Sequence, residues 1–435
     1  MACCRANISI ILEQSLKWAG FGNKMKTFDI PVKYKSPVIS AIKETRRAKD
    51  KLKRDFKPTV LEFENLTLLI ARHFGFCYGV ENAVEIAYRT LSENQGKRVF
   101  LLSEMIHNPD VNADLVSEGV KFLMDTKGNR VIDFETLNTD DIVIVPAFGT
   151  TLEIQADLSA RGINPYGYDT TCPFVEKVWN RANQIGDRGF TVVIHGKPNH
   201  EETRATFSHS TSHANTVVIK DMEEARELAA YIRKEKTKEE FYRFFAGRYS
   251  EGFDPEIHLG RLGVVNQTTM LASETQAIAN YLKEELIRFY GVEEGGIPQH
   301  FASTKDTLCY ATNDNQDATY ALMEEEADLA IVVGGYNSSN TTHLVELLEQ
   351  KVKTFFIRSA SGILSEHEIQ HFDIHLGKEI ISENYLPDAQ KPKVILTCGA
   401  SCPDAVVEEV LVRLLELFRE KNNLEEVLRK SLVNF

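Results

Sequence analysis

Long apolar runs are missing from this 435-residue chain. No stretch approaches the ~18 to 20 apolar residues that a membrane-spanning helix needs, which excludes such a span. Cysteine is scarce: seven residues, scattered and without any C-x-x-C, cannot form a secreted disulfide framework. Positive charge is also in deficit. Fifty Lys and Arg face 63 Asp and Glu, a formal net charge of -13 that would repel a polyanion and argues against general nucleic-acid binding. Neither a Walker A nor a G-x-G-x-x-G pattern is present, which disfavours a nucleotide, and H-E-x-x-H is lacking, which disfavours zinc-protease chemistry. No small-residue cleavage site comes after the short apolar run Ile8–Leu12, so a signal peptide is not expected. Together these absences predict a cytoplasmic chain with cysteines free for metal or catalysis.

The remaining composition is ordinary for a globular protein, with 43% hydrophobic and 26% charged residues. At ~150 residues per domain the length suggests about three domains. Residues 1–24 differ in character from the rest of the chain, and Met25 reads as the true start, which leaves Cys3 and Cys4 without a role. Residues 24–57 then carry twelve Lys and Arg against four Asp and Glu, a basic arm on an acidic protein. From Ser40 this arm reads as a helix with Ile42 and Leu52 as its apolar anchors. It is either a solvated helix or a docking surface for an acidic partner.

From Leu66 onward short β-branched runs alternate with helical periodicity. LTLLIA, VFLLS, DIVIVPA, TVVIHG, TVVIK, LGVVN, LAIVVGG, KTFFI and VILTCGA are candidate buried strands. Helical patterns fall at residues 81–91, 275–290, 342–351 and 403–421. Continuous apolar strands between helices predict parallel α/β sheets. The stretches 233–257 and 291–299 read as insertions or domain joints.

Three cysteines share one local grammar: Cys77 in HFGFCYGVENAV, Cys172 in YDTTCPFVEKVW and Cys309 in TKDTLCYATNDNQ each come after an extended run and precede a helical pattern. In open α/β sheets, ligands bind beyond the strand C-termini, so three such units could aim their thiolates at one centre. A zinc site would want a fourth ligand or water. An iron–sulfur cluster normally takes four cysteines, and three on a four-iron cluster leave one iron open as a Lewis acid.

Other loops suit an anion. GGYNSSNTTHL places Asn337, Ser338, Ser339 and Asn340 before a helix, NQTTML does so with Gln267, Thr268 and Thr269, and GASCPD with Gly399, Ala400 and Ser401. Helix N-termini and hydroxyl donors favour phosphate, although each loop alone is also a plain N-cap. His107 lies in EMIHNPDV, and HGKPNHEET carries His195, His200, Glu201 and Glu202. His200 with Glu202 could bind a phosphate and supply a proton, or be a loop residue and a first-turn charge. His195, nearer its strand, reads as structural.

GFCYGVENAV, EMIHNPDVNADL, DTTCPFVEKVW, GKPNHEET, NQTTML, DTLCYATNDNQ, GGYNSSNTTHL and GASCPD occur in one order across residues 66–417. In this the chain resembles the LytB family, the 4-hydroxy-3-methylbut-2-enyl diphosphate reductases of the non-mevalonate isoprenoid pathway. The resemblance implies three similar α/β domains in a trefoil around a central [4Fe–4S] cluster, or [3Fe–4S] where it has degraded. Cys77, Cys172 and Cys309 would be its ligands, with the open iron taking the substrate hydroxyl. His107, His200, Thr268, Asn337, Ser338, Ser339, Asn340 and Ser401 would bind the allylic diphosphate, and Glu202 would donate the proton. Two electrons and two protons would remove the hydroxyl as water, giving isopentenyl and dimethylallyl diphosphate. A ferredoxin or flavodoxin would be the electron donor, and the basic arm is expected to help dock it; neither nucleic acid nor a membrane is implied as a partner.

The sequence departs from the family pattern at three points. Phe148 in PAFGTT stands where many members have the histidine of A-H-G; plant-like and cyanobacterial-like members look like this chain there, and a phenyl ring cannot hydrogen-bond diphosphate. Cys402 replaces a small non-cysteine residue and reads, with Cys398, as small and buried. The basic arm is foreign to the short bacterial form. The domain reading is an N-terminal extension over 1–65 and α/β domains over 66–170, 171–299 and 300–435. A hydro-lyase, which needs no reductant, and a non-catalytic iron–sulfur sensor are the competing functions.

Overall fold

The structure, a computed structural model, describes residues 28–302, 307 and 309–433. The proposed start at Met25, Cys3, Cys4 and the arm residues Lys24 and Lys26 lie outside them. The first strands in chain order are β1 (Thr59–Glu62), β2 (Thr67–Ile70), β3 (Val99–Leu101), β4 (Lys121–Phe122) and β5 (Ile142–Ile144). Then come β6 (Thr191–His195), β7 (Thr216–Ile219), β8 (Leu262–Asn266) and β9 (Phe301–Ala302). The last are β10 (Leu329–Val333), β11 (Thr354–Ile357), β12 (Glu368–Asp373), β13 (Lys378–Glu383) and β14 (Lys393–Cys398). All nine apolar runs read from the sequence contain a strand, and every pairing among those nine is parallel. This is the mixed α/β class that the alternating pattern predicts.

The chain forms two compact units. One comprises residues 1–81, 107–109 and 313–435, and contains a seven-stranded sheet in the order β1-β2-β14-β10-β11-β12-β13. Its core is the buried apolar set of β2, β10 and β14 under helices Pro37–Lys49 and Asp404–Leu417. The other unit comprises residues 82–106 and 110–312, with the sheets β4-β3-β5 and β7-β6-β8-β9. The boundaries expected at 65/66 and 299/300 do not follow this partition. β1 and β2 join the sheet of the C-terminal segment, and β9 pairs with β8. The reason lies in β2, whose four residues are all buried: such a strand needs neighbours on both edges and cover on both faces, and it finds them between β1 and β14.

Two further readings are corrected. Leu52 is no anchor, being 71% exposed beyond the end of helix Pro37–Lys49; Val38, Ile39 and Ile42 hold that helix instead. Ser36 caps it, its Oγ accepting from Ile39 N–H at 2.9 Å, and Pro37 at the first helical position suits the start. The 233–257 stretch, read as an insertion or joint, is mostly exposed but sends three rings into the core. A capping box, Thr237 with Glu240, starts helix Lys238–Phe244, and Phe241, Phe245 and Phe253 bury a ring cluster in which Phe241 and Phe253 stack at 5.2 Å. The hairpin β12–β13 had no apolar run to reveal it, because its outer strand alternates half-buried and exposed residues. No helix among the described residues is long and apolar enough to cross a membrane.

Candidate functional site

The first unit gathers one group of site residues around the loop after β10. Gly334 and Gly335 let that loop pass close to its neighbours: a Cβ on Gly335 would stand 2.5 Å from the His107 carbonyl oxygen. Ser338 then caps helix Ser339–Leu348, its Oγ accepting from the Thr341 hydroxyl at 3.0 Å and from Thr341 N–H at 3.4 Å. The loop after β14 closes the group. Ser401 Oγ donates to the His107 carbonyl at 3.1 Å, and Asn108 Nδ2 donates to the Ser401 carbonyl at 3.0 Å. Asn337 Nδ2 lies 3.4 Å from His107 Nδ1. His107, Ser338, Ser339, Asn340 and Ser401 are all buried. Within this group Asn340 is 3% exposed, yet neither its amide nitrogen nor its oxygen has a hydrogen-bond partner among the described residues. A buried carboxamide left so costs ~1–3 kcal/mol, which a polar ligand would relieve.

The second unit gathers the other group. His200 is the N-cap of helix Glu201–Thr211, its Nδ1 accepting from Glu202 N–H at 3.2 Å. In the neutral ring that bond assigns the proton to Nε2, which can donate to an anion. Glu202 is 1% exposed, and Thr268 donates to both its oxygens, N–H to Oε1 at 2.5 Å and Oγ1 to Oε2 at 2.9 Å. Burial raises its pKa to about 7 against the pull of those two bonds. Phe148 lies edge-on to the His200 ring with centroids 5.6 Å apart. Gln267, one of the candidate anion donors, is spent internally: Oε1 accepts from Lys197 N–H and the Thr203 hydroxyl, and Nε2 donates to Thr269 Oγ1.

The three cysteines stand where the sequence placed them, each at the start of a helix. Cys77 precedes helix Tyr78–Glu93 and accepts Glu81 N–H on its carbonyl; its own N–H donates to the Ala400 carbonyl at 3.2 Å, beside Ser401. Cys172 is the N-cap of helix Pro173–Asp187, with Pro173 at its first position. Cys309 precedes helix Tyr310–Met323. In the second unit, backbone N–H groups of the first helical turn reach both thiols, from Phe174 and Val175 to Cys172 and from Ala311 and Thr312 to Cys309. Burial still dominates, pushing Cys172 up to about 12 and raising Cys309. Each also feels the negative charge of Glu202, and Cys172 that of Cys309. A thiolate in this setting needs a positive group, and a metal centre carrying its own charge would supply one. Among the described residues, no three His, Cys, Asp or Glu side chains are spaced to hold a single metal ion. A cluster asks for a wider spacing, because each thiolate binds a different iron.

Two features escaped the sequence reading. Glu201, buried beside Glu202, lines a cavity of about 250 Å3 with Ser103, Lys127, Thr150 and Arg204, and burial raises its pKa to about 8. Nothing but a second acid at a helix start hinted at it. Tyr34 of the basic arm packs on Phe76, the residue before Cys77. His195 is structural as read, fully buried with Nδ1 2.8 Å from Thr275 Oγ1. Cys398 and Cys402 are likewise small and fully buried.

Parallel α/β sheets that carry a buried acid, thiols and hydroxyls at helix starts define an enzyme of the α/β class. A family model described as LytB protein matches residues 68–415, and the chain belongs to the LytB family. A relative from Gloeobacter violaceus, named 4-hydroxy-3-methylbut-2-enyl diphosphate reductase, is 40% identical over 402 residues, 92% of this chain and 91% of the relative. A Synechococcus relative of the same name is 42% identical over 353 residues, 81% of this chain and 84% of its own. The fold is shared with the solved E-1-hydroxy-2-methyl-but-2-enyl-4-diphosphate reductase from Plasmodium falciparum, at 21% identity and a TM-score of 0.57 over 81% of this chain and 88% of that one.

Proposed function

We propose that this chain reduces 4-hydroxy-3-methylbut-2-enyl diphosphate to isopentenyl and dimethylallyl diphosphate. The allylic C–O bond is broken, two electrons and two protons are consumed, and the hydroxyl leaves as water. Cys77, Cys172 and Cys309 would be the residues that hold a [4Fe–4S] cluster, and three cysteines would leave it one iron short of a full set of protein ligands. The chemistry expected of that group is Lewis acidity toward the substrate hydroxyl and one-electron transfer. An acidic one-electron carrier, a ferredoxin or flavodoxin, supplies the electrons.

The chain's own residues divide the remaining work. His107, His200, Thr268, Asn337, Ser338, Ser339, Asn340 and Ser401 would bind and orient the diphosphate through neutral donors. Glu202 delivers a proton, its pKa near 7 suiting an acid that must be loaded and unloaded at neutral pH. Phe148 offers the ligand no hydrogen bond and instead sets the His200 ring edge-on. The observation that carries this reading is Glu202: a buried acid, held at both oxygens by Thr268, in electrostatic reach of the half-buried Cys172 and the buried Cys309. That combination serves protonation next to a metal centre and has no role in a passive sensor.

The test is anaerobic reconstitution with iron and sulfide, then oxidation of reduced methyl viologen on adding the hydroxymethylbutenyl diphosphate. Oxidation that requires substrate and each of the three cysteines supports the reductase. A fully loaded cluster with no oxidation would overturn it and favour a hydro-lyase.

A further inference from the structure

The basic arm grips the loop that presents Cys77, almost residue by residue. Arg72 lies 3.9 Å from Asp50, and the His73 ring meets Phe56 with centroids 5.5 Å apart. Lys43 Nζ sits 4.6 Å over the Phe74 ring, and a Cβ on Gly75 would run into Asp404 and Lys43. Tyr34 packs on Phe76 at 5.9 Å and Phe28 on Tyr78 at 4.9 Å, both edge-to-face. Of the arm's cations, Lys43 pairs with Asp404 and Arg46 with Asp55, while Lys53 meets Asp314 at the surface. The others, Lys33, Lys35, Arg47, Lys49, Lys51, Arg54 and Lys57, are exposed. Their charge reaches the Cys77 helix, since Glu81 in its first turn feels Lys43, Arg47 and Lys35.

An acidic protein approaching a chain of net charge -13 is repelled almost everywhere. Over residues 28–57 the sign reverses, with ten Lys and Arg against four Asp and Glu. Granted the reductase reading above, we propose that the outer face of this arm docks an acidic one-electron carrier protein, and that electrons enter through the Tyr34–Phe76 contact beside Cys77. Each docking oxidises one carrier and delivers one electron. Two carriers and two protons are consumed for each C–O bond cleaved, with water as the leaving product. The arm therefore has an inner face that holds a ligand loop and an outer face that selects the donor. Deleting it would disturb both, so surface charge reversal is the cleaner probe.

The experiment uses the full-length reconstituted protein and its triple variant Lys35→Glu, Arg47→Glu, Lys51→Glu. Calorimetry measures the affinity for an acidic plant-type [2Fe–2S] ferredoxin at low and high salt, and turnover is followed with that ferredoxin and with reduced methyl viologen. The expected result is a tenfold or greater loss of ferredoxin affinity, a flatter salt dependence and unchanged methyl viologen turnover. Unchanged ferredoxin affinity would overturn the docking surface, as would an arm that binds anionic vesicles in place of the carrier. Absence of methyl viologen turnover in the parent would overturn the reductase reading, while the calorimetry still decides docking. For the entry route, Tyr34→Leu should lower ferredoxin-driven kcat severalfold with affinity and methyl viologen turnover intact, and Tyr34→Phe should restore it. Equal losses with both reductants would reduce Tyr34 to a packing residue and overturn the route.

Discussion

Thr268 engages both oxygens of Glu202, its N–H at 2.5 Å from Oε1 and its hydroxyl at 2.9 Å from Oε2. A hydroxyl can reverse its role, donating to the carboxylate and accepting from the carboxylic acid. The pair therefore survives protonation without moving, which keeps the acid aimed while its proton comes and goes.

Glu202→Gln should leave this geometry intact, since a carboxamide also accepts from the N–H and meets the hydroxyl. Turnover should fall about 10^2- to 10^4-fold with KM within a few-fold, because only the transferable proton is lost. Steady-state kinetics and the cluster absorption spectrum check it. Full activity would remove Glu202 from the mechanism.

Asn340→Ala should behave unlike most buried polar substitutions. The side chain has no hydrogen-bond partner to lose among the described residues, so the thermal midpoint without substrate should hold or rise slightly. KM for the diphosphate should increase roughly ten- to hundredfold, as one charge-assisted contact is worth ~1.5–3 kcal/mol. A drop in stability with unchanged KM would assign Asn340 to the fold instead.

Gly335→Ala places a methyl 2.5 Å from the His107 carbonyl oxygen, which also accepts from Ser401 at 3.1 Å. The nearest atoms are His107 backbone, which has little room to yield, so a cost of about 1–3 kcal/mol is expected. Because His107 and Ser401 shift together, substrate affinity should weaken as well. Denaturant unfolding and KM measured on the same sample test the linkage.

Glu201 gives the stability a pH dependence. Its carboxyl is raised to about 8 in the folded chain and falls near 4.5 when unfolded. Between those values the native state holds a proton that the unfolded state has released. Stability from this group is thus complete below about pH 4.5 and is lost as pH rises toward 8. Glu201→Gln should remove that decline, raising the thermal midpoint at pH 8 by a few degrees while changing it little at pH 5. Parallel pH profiles of the parent and variant would contradict it.

Much of this was readable along the chain because its causes are local. Runs such as LAIVVGG and TVVIHG declared buried parallel strands, and Cys172 with Pro173 next to it declared a helix start with its thiol at the end. Ser338 and His200 stand at N-caps for the same short-range reason. The misread parts depended on distant residues. Leu52 looks like an anchor until the helix ends at Lys49, and 233–257 looks like a joint until Phe241, Phe245 and Phe253 find one another.

The order of motifs and the chemistry of the donor set were thus determined by the sequence itself, since residue type, period and capping operate within a few positions. Tertiary structure alone decided that β2 joins the sheet of the C-terminal segment, that Asn340 is buried with no hydrogen-bond partner among the described residues and that the arm closes on the Cys77 loop. It also decided that Glu201 and Glu202 hold their protons near neutrality. Burial and hydrogen-bond satisfaction are sums over every neighbour in space, and no window along the chain contains them.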